Sequence, residues 1–191
     1  MDILLSFVAL TALTPVFLAV ALAIKLDSRG PVFYRQTRMG KDAKPFTMLK
    51  FRSMFHRPID LPPELLAHNE SNGPLFKMRN DPRVTRVGRL IRRASIDELP
   101  QLINVLWGHM SLVGPRPPLP REFEGFETVQ RLRLRVVPGV TGPWQVSGRS
   151  NLPFEEMVRL DLGYIERRSL LLDLKLLLLT VPTVLLGRGA Y

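Results

Sequence analysis

The chain has 191 residues, no cysteine and a formal net charge of +10. That length suits one domain with a hydrophobic core, and the lack of cysteine excludes disulfides and thiolate chemistry. The charge calls for a polyanionic partner, whether nucleic acid, anionic lipid or a phosphorylated substrate. The three histidines, His56, His68 and His109, have no metal-ligand spacing, which argues against a zinc site.

From Ile3 to Ile24 no residue is charged. As a helix rising ~1.5 Å per residue, this run is roughly 33 Å long, close to the ~30 Å hydrocarbon core of a bilayer. Asp2 stands where a signal peptide carries lysine or arginine, and no small-residue cleavage pattern follows. With no polar face, the run also fits poorly as a core helix of a soluble domain. Pro15 lacks a backbone donor, so the helix is expected to break at Thr14-Pro15. The residues alone leave two topologies, a kinked span or a helix that enters, breaks and returns, and they favour the span. Lys25, Arg29, Arg35, Arg38, Lys41 and Lys44 follow, which places the body of the protein on the cytoplasmic side.

A Gly30-Pro31 turn leads into "VFYRQ" and "PFTMLKF", which read as two strands of a β-hairpin around "GKDAK". "PPELLAHNESNG" reads as a short helix and a loop. In "DPRVTRVGRLIRRA", Arg83, Arg86, Arg89 and Arg92 recur every third residue. On one helix they form a basic stripe, with Val84, Val87, Leu90 and Ile91 as apolar contacts. "ELPQLINVLWG" predicts a helix that starts near Asp97 or Glu98, since Pro100 fits only in a first turn, and ends at Gly108. "VGPRPPLP" is a stiff loop carrying Arg116. "VVPGVTGPWQVSGRSN" is turn-rich and carries Gln145 and Arg149. Near the C-terminus, Phe154, Met157, Val158, Leu162 and Ile165 share a helical face. The leucine-rich segment after it contains Asp173 and Lys175, each costing ~2.5–3.5 kcal/mol at the centre of a span. It reads as an interfacial helix or one packed on the body of the protein.

The adjacent acids Asp97 and Glu98 are the most informative feature. Their plain reading is a helix start, with Ser95 and Glu98 as a capping box. The same position suits phosphoryl chemistry. An oriented, ionised aspartate is a nucleophile type for phosphoryl groups, and a glutamate can hold Mg²⁺ that is completed by substrate phosphates and water. Arginine forks then bind phosphate oxygens. A glycosidase pair must flank a sugar bond from two sides, which neighbours at one helix start do not do. The chain has no P-loop, G-x-G-x-x-G or G-x-S-x-G, so NTPase, dinucleotide and α/β-hydrolase functions lack their motifs. Nor does it carry a recognition-helix or RRM pattern that would make nucleic acid the partner. A structural protein whose arginines only read lipid headgroups is the remaining alternative.

The motifs together resemble the bacterial sugar transferases, or monotopic phosphoglycosyl transferases. The likeness runs through the proline-broken apolar segment, "GPVFYRQTRMGKDAKPFTMLKFRSM", "NDPRVTRVGRLIRRASIDELPQLINVL", "MSLVGPRPPLP", "VVPGVTGPWQVSGRS" and the terminal "GRGAY", in that order. It implies transfer of a sugar 1-phosphate from a UDP-sugar to a polyprenol phosphate at the inner leaflet, with UMP released. The kinetics are then ping-pong, through a phospho-sugar ester on Asp97, and Glu98 is associated with Mg²⁺. The resemblance makes Arg116 a phosphate contact, Lys50, Arg52 and Arg92 further substrate contacts, and Gln145 and Arg149 neighbours of the nucleotide.

For the fold it implies a mainly helical α+β catalytic domain with a β-hairpin over residues 29–191. Its C-terminal interfacial helices cover about 152–187. Residues 1–28 form a re-entrant membrane helix broken at Thr14-Pro15, where the family has Ser-Pro, in place of the span that the residues alone favour. The expected setting is the cytoplasmic face of a bacterial inner membrane, for a hexose such as glucose or galactose, with a homodimer left open. The extent matches the catalytic module without the multi-span N-terminal region that some relatives carry.

Overall fold

The structure, a computed structural model, describes residues 1–56, 78, 80–149 and 152–185. It is mixed α and β, mainly helical, with a β-hairpin. The helix expected in "PPELLAHNESNG" and the terminal "GRGAY" lie outside the described residues.

The apolar run forms α1 (Asp2–Ala12) and α2 (Thr14–Asp27), bent by 61° at Leu13. The cause is local. Pro15 sits in the first turn of α2, and the Thr14 hydroxyl donates to the Leu10 carbonyl at 3.0 Å, a bond that bends helices. Among the described residues no single helix is long and apolar enough to cross a membrane; the bent pair qualifies only together. On α1, the buried Ser6 and the half-buried Ala9 and Leu10 face the protein, while Ile3, Leu4, Phe7 and Val8 are exposed. α2 buries Val20 and Ile24 against Phe51 and Ile91 and exposes Leu18, Leu22 and Leu26.

β1 (Phe33–Met39) and β2 (Pro45–Phe51) pair antiparallel, with Tyr34 opposite Lys50. The turn between them is left-handed at Asp42 and Ala43. After the hairpin, α3 (Arg86–Arg93) is capped by Thr85, whose Oγ1 accepts from the Gly88 N–H at 2.9 Å. Asp27, at the end of α2, accepts from the Val87 N–H at 3.0 Å and so ties the two helices together. Gly88 lies so close to the chain at Ser53 that a Cβ there would meet its carbonyl oxygen at 1.9 Å.

The expected stripe of four arginines is shorter than predicted. Arg83 precedes α3 and pairs with Asp81 at 2.6 Å, an acid close enough in sequence to hold it in the turn. Leu90, expected among the apolar contacts, is 70% exposed.

The expected helix start is also displaced. Residues Ile96–Glu98 form one 3₁₀ turn, and α4 (Gln101–Leu106) begins three residues later. Ser95 is left-handed (φ 53°) and makes no cap bond, so the predicted Ser95–Glu98 capping box is absent.

The smaller elements between α4 and Phe154 were not predicted. β3 (Ser111–Val113) pairs in parallel with β4 (Gly139–Thr141), and their residues are too few to show periodicity. Short helices α5 (Pro120–Glu124), α6 (Thr128–Arg131) and α7 (Pro143–Ser147) occupy the remaining connections. α8 (Phe154–Arg167) buries Phe154, Met157 and Val158, as its spacing predicted, while Leu162 and Ile165 are half-buried and Tyr164, not among the predicted residues, is buried.

α9 (Leu170–Leu185) docks through Leu176 onto the core of Met48, Leu102, Val105, Met110, Leu112 and Val113, which α1 also covers through Ala9 and Leu10. Asp173 on α9 is turned inward and accepts from the Tyr164 hydroxyl at 2.7 Å. Leu170, Leu171, Leu178 and Val181 remain exposed.

Asn104 on α4 stands in for a missing neighbour strand. Fully buried, it accepts from the Leu49 N–H at 2.9 Å and donates to the Thr47 carbonyl at 2.7 Å. Those two bonds fix β2 against the helix that follows the acidic pair.

Candidate active site

Asp97 and Glu98 lie in the 3₁₀ turn between α3 and α4, with β2 beside them. Asp97 is 8% exposed. Lys50, on β2, donates to Glu98 Oε1 at 2.7 Å. Burial pushes the Asp97 carboxyl above the usual aspartate range, opposed by Lys50 and Arg92 and reinforced by the negative charge of Glu98. Burial also works against ionisation of Glu98, but the charges of Lys50 and Arg116 and hydrogen bonds from Lys50 and Gln101 outweigh it and hold Glu98 well below its usual range. Burial draws Lys50 downward, with Glu98 opposing. The two neighbouring acids thus sit in unlike electrostatic environments, Asp97 governed by burial and Glu98 by its cations.

A cleft opens beside them, lined by Lys50, Glu98, Gln101, Arg116, Pro117, Gly139 and Gln145 among others, with about 270 Å³ of space open to solvent. Arg116 enters from the loop after β3, with its guanidinium 5.9 Å from the Trp144 ring centroid. Among the described residues, the buried Oε1 of Gln145 has no hydrogen-bond partner. Arg149 donates from Nη2 to the Ser95 hydroxyl at 3.2 Å, and both residues are left-handed, with φ of 52° and 53°. Non-glycine residues held there cluster at functional sites. Arg92 donates from Nε to the Ser53 hydroxyl at 3.0 Å.

Of the residues singled out in the sequence, Lys50, Glu98, Arg116 and Gln145 line one cleft, and Asp97, Arg92 and Arg149 stand beside it. Arg52 is placed elsewhere. Buried next to the exit of α2, it donates to the carbonyls of Pro31, Arg29 and Ser28 and to the Ser28 hydroxyl at 2.6–2.9 Å. Alternation alone would put Lys50 and Arg52 on one face, but β2 ends at Phe51 and Arg52 lies one residue past the strand end. Arg52 therefore clamps the backbone that joins the apolar helices to the hairpin. Sequence reasoning did not single out Gln101, which is 3% exposed and bonded to Glu98. Its only signal is its position three residues after Glu98, within helical reach.

Among the described residues, no group of three or more histidine, aspartate or glutamate side chains could hold a metal by itself. Mg²⁺ in phosphoryl-transfer sites is held by one or two carboxylates together with substrate phosphates and water. A firmly ionised Glu98 beside Asp97 is a donor set of that kind.

The chain is 40% identical over its whole length to the exopolysaccharide production protein ExoY of Sinorhizobium fredii, of which it covers 86%. It is 48% identical, over 84% of its length, to the galactosyl transferase CpsE of Streptococcus agalactiae, covering 36% of that protein. It is 41% identical over its whole length to the UDP-glucose:undecaprenyl-phosphate glucose-1-phosphate transferase of Escherichia coli, covering 40% of it. The chain thus spans most of the rhizobial relative but well under half of the other two. Residues 1–187 match one family throughout, and the chain belongs to it: the bacterial sugar transferases.

Proposed function

We propose that the protein transfers a hexose 1-phosphate from a UDP-sugar to undecaprenyl phosphate, releasing UMP, as the first membrane step of polysaccharide or glycoconjugate assembly. The observation that carries this reading is a buried acid pair, Asp97 and Glu98, set among Lys50, Arg92, Arg116 and Arg149. Similarity to relatives named for galactosyl and glucose-1-phosphate transfer supports a hexose.

The reaction is ping-pong. A carboxylate oxygen of Asp97 attacks the phosphorus bearing the sugar, and the bond from that phosphorus to the bridging oxygen breaks, so UMP leaves with the electron pair. An oxygen of undecaprenyl phosphate then attacks the same phosphorus and frees the aspartate. No proton needs to move in either displacement.

Asp97 suits the nucleophile's part because burial leaves its charge poorly compensated, and less stabilised charge is more reactive. Lys50 and Gln101 hold Glu98 in place. Glu98 would hold Mg²⁺ against the donor diphosphate, where the ion supplies charge neutralisation. Arg116, Arg92 and Arg149 offer guanidinium forks to phosphate oxygens. The unpaired Oε1 of Gln145 is an acceptor for a hydroxyl or imide N–H of the donor.

We place the exposed apolar faces of α1, α2 and α9 in the inner leaflet of the cytoplasmic membrane, with α1 and α2 as a re-entrant pair. The bend at Leu13 and the inward turn of Asp173 support this arrangement. A water-soluble donor and a lipid-anchored acceptor must meet at that boundary.

The test is incubation with UDP-glucose or UDP-galactose and Mg²⁺ but no acceptor. We expect UMP and a phospho-sugar adduct on Asp97, at most one of each per enzyme; EDTA prevents both, and added undecaprenyl phosphate discharges the adduct. Asp97→Asn should yield neither product. An adduct formed in full by that variant would overturn the assignment.

A further inference from the structure

The loop that presents Arg116 has an unusual tethering problem. Pro115, Pro117 and Pro118 surround the arginine. None of them has a backbone N–H, so this stretch is fastened chiefly through carbonyl oxygens, and its neighbours must supply the donors. They supply one to each proline. The Gly139 N–H on β4 donates to the Pro115 carbonyl at 2.9 Å, and the Met39 N–H at the end of β1 donates to the Pro118 carbonyl at 2.9 Å. The third donor is a side chain: Arg38 Nη1 reaches the Pro117 carbonyl, directly after Arg116, at 3.1 Å.

Arg38 is itself held on its other edges. Its Nε and Nη2 donate to Gln36 Oε1 at 3.1 and 2.8 Å, and Glu122 Oε2 lies 3.8 Å from its Nη1. Glu122 in turn accepts from the Leu119 N–H at 2.8 Å, so the same network secures the far end of the loop. Arg38 is 5% exposed and Glu122 6%. A guanidinium this buried has little capacity to take up ligand. Burial and then the charge of Arg116 lower its pKa to about 10, with Glu122 and Glu98 opposing, so it remains a cation at neutral pH. Its fixed planar fork matches two rigid acceptors at once, which an ammonium group cannot do.

We propose that Arg38 is a positioning residue: by gripping the Pro117 carbonyl it aims Arg116 into the cleft beside Glu98, and it influences donor binding only through Arg116. The inference rests on the phosphate-binding role proposed above for Arg116. It assigns Arg38 a part that its burial conceals, because it touches no substrate itself.

A double-mutant cycle tests this. The variants are Arg38→Met, Arg38→Lys, Arg116→Ala and each Arg38 change combined with Arg116→Ala. The readouts are the dissociation constant for UDP by calorimetry, which needs no turnover, and KM and kcat for UMP release. Groups acting through one another are non-additive. We expect each single change to weaken UDP binding by about tenfold, and Arg38→Met to add less than about twofold once Arg116 is alanine. KM for the donor should rise more than kcat falls. Arg38→Lys keeps one donor for Pro117 and should fall between wild type and Arg38→Met. It also preserves the test if the methionine variant does not fold. Full additivity of Arg38→Met, or of Arg38→Lys, with Arg116→Ala would overturn the proposal, as would an Arg38→Lys variant indistinguishable from Arg38→Met. If wild type binds UDP but releases no UMP, the reaction proposed above fails, and the binding cycle still decides the role of Arg38. If wild type binds no UDP, both fail.

Discussion

Asn104 shows how much one buried amide can carry. Its two bonds replace those that a third strand would give to Leu49 and Thr47 of β2. Asn104→Ala leaves a buried N–H and a buried carbonyl without partners, each worth about 1–3 kcal/mol. We expect a loss of roughly 2–5 kcal/mol, read from urea unfolding in mild detergent. Asn104→Asp keeps the acceptor for Leu49 but sets a fully buried carboxylate against the Thr47 carbonyl, and should be at least as damaging as alanine at neutral pH. The same substitutions also loosen Lys50, one residue after Leu49, from Glu98. Nothing in the sequence marked Asn104, because an asparagine in an amphipathic helix looks the same whether it faces water or another backbone. The acidic pair stood out only through the arginine-rich motifs around it, since by itself it reads as well as a helix start. Arg52 looked like Lys50 in sequence, and only the end of β2 separates the one that faces the cleft from the one that clamps backbone.

At the level of elements, α3 is set by contact more than by propensity. Gly88 allows the helix to press against Ser53. In an exposed helix, Gly→Ala gains up to about 1 kcal/mol. Here the added methyl group would overlap backbone, so Gly88→Ala should destabilise by about 1–3 kcal/mol. Gly163, inside α8, has nothing within 4 Å of where a Cβ would stand. Gly163→Ala should therefore stabilise by about 0.5–1 kcal/mol. Thermal melts of the two variants should move in opposite directions. The elements read correctly in sequence, the hairpin, α8 and the broken apolar helix, all carry a repeating pattern or an unambiguous breaker. Those missed or displaced do not. β3 and β4 are three residues each, and the 3₁₀ turn at Ile96–Glu98 has the composition of a helix start but the hydrogen bonding of a connector.

For the whole molecule, the apolar surfaces and the cleft determine orientation. The re-entrant placement of α1 and α2 proposed above predicts that both chain ends lie on the cytoplasmic side. Because the chain has no cysteine, a cysteine inserted directly after Met1, ahead of the exposed apolar face of α1, gives a single label site. A membrane-impermeant maleimide should react with it only after cells are opened. Labelling from outside intact cells would show that the pair spans the bilayer.

The two-strand sheet of β3 and β4 joins distant parts of the chain. Ser111 donates to Asp2 at the start of α1 at 2.7 Å, and Thr141 bonds Thr180 of α9 at 2.8 Å. The Arg116 loop leaves from the end of that same sheet. On the membrane placement proposed above, both apolar ends bear on the platform that carries Arg116. Bilayer tension, or a detergent that lets the two ends drift apart, would then reach the cleft through a joint only three residues wide.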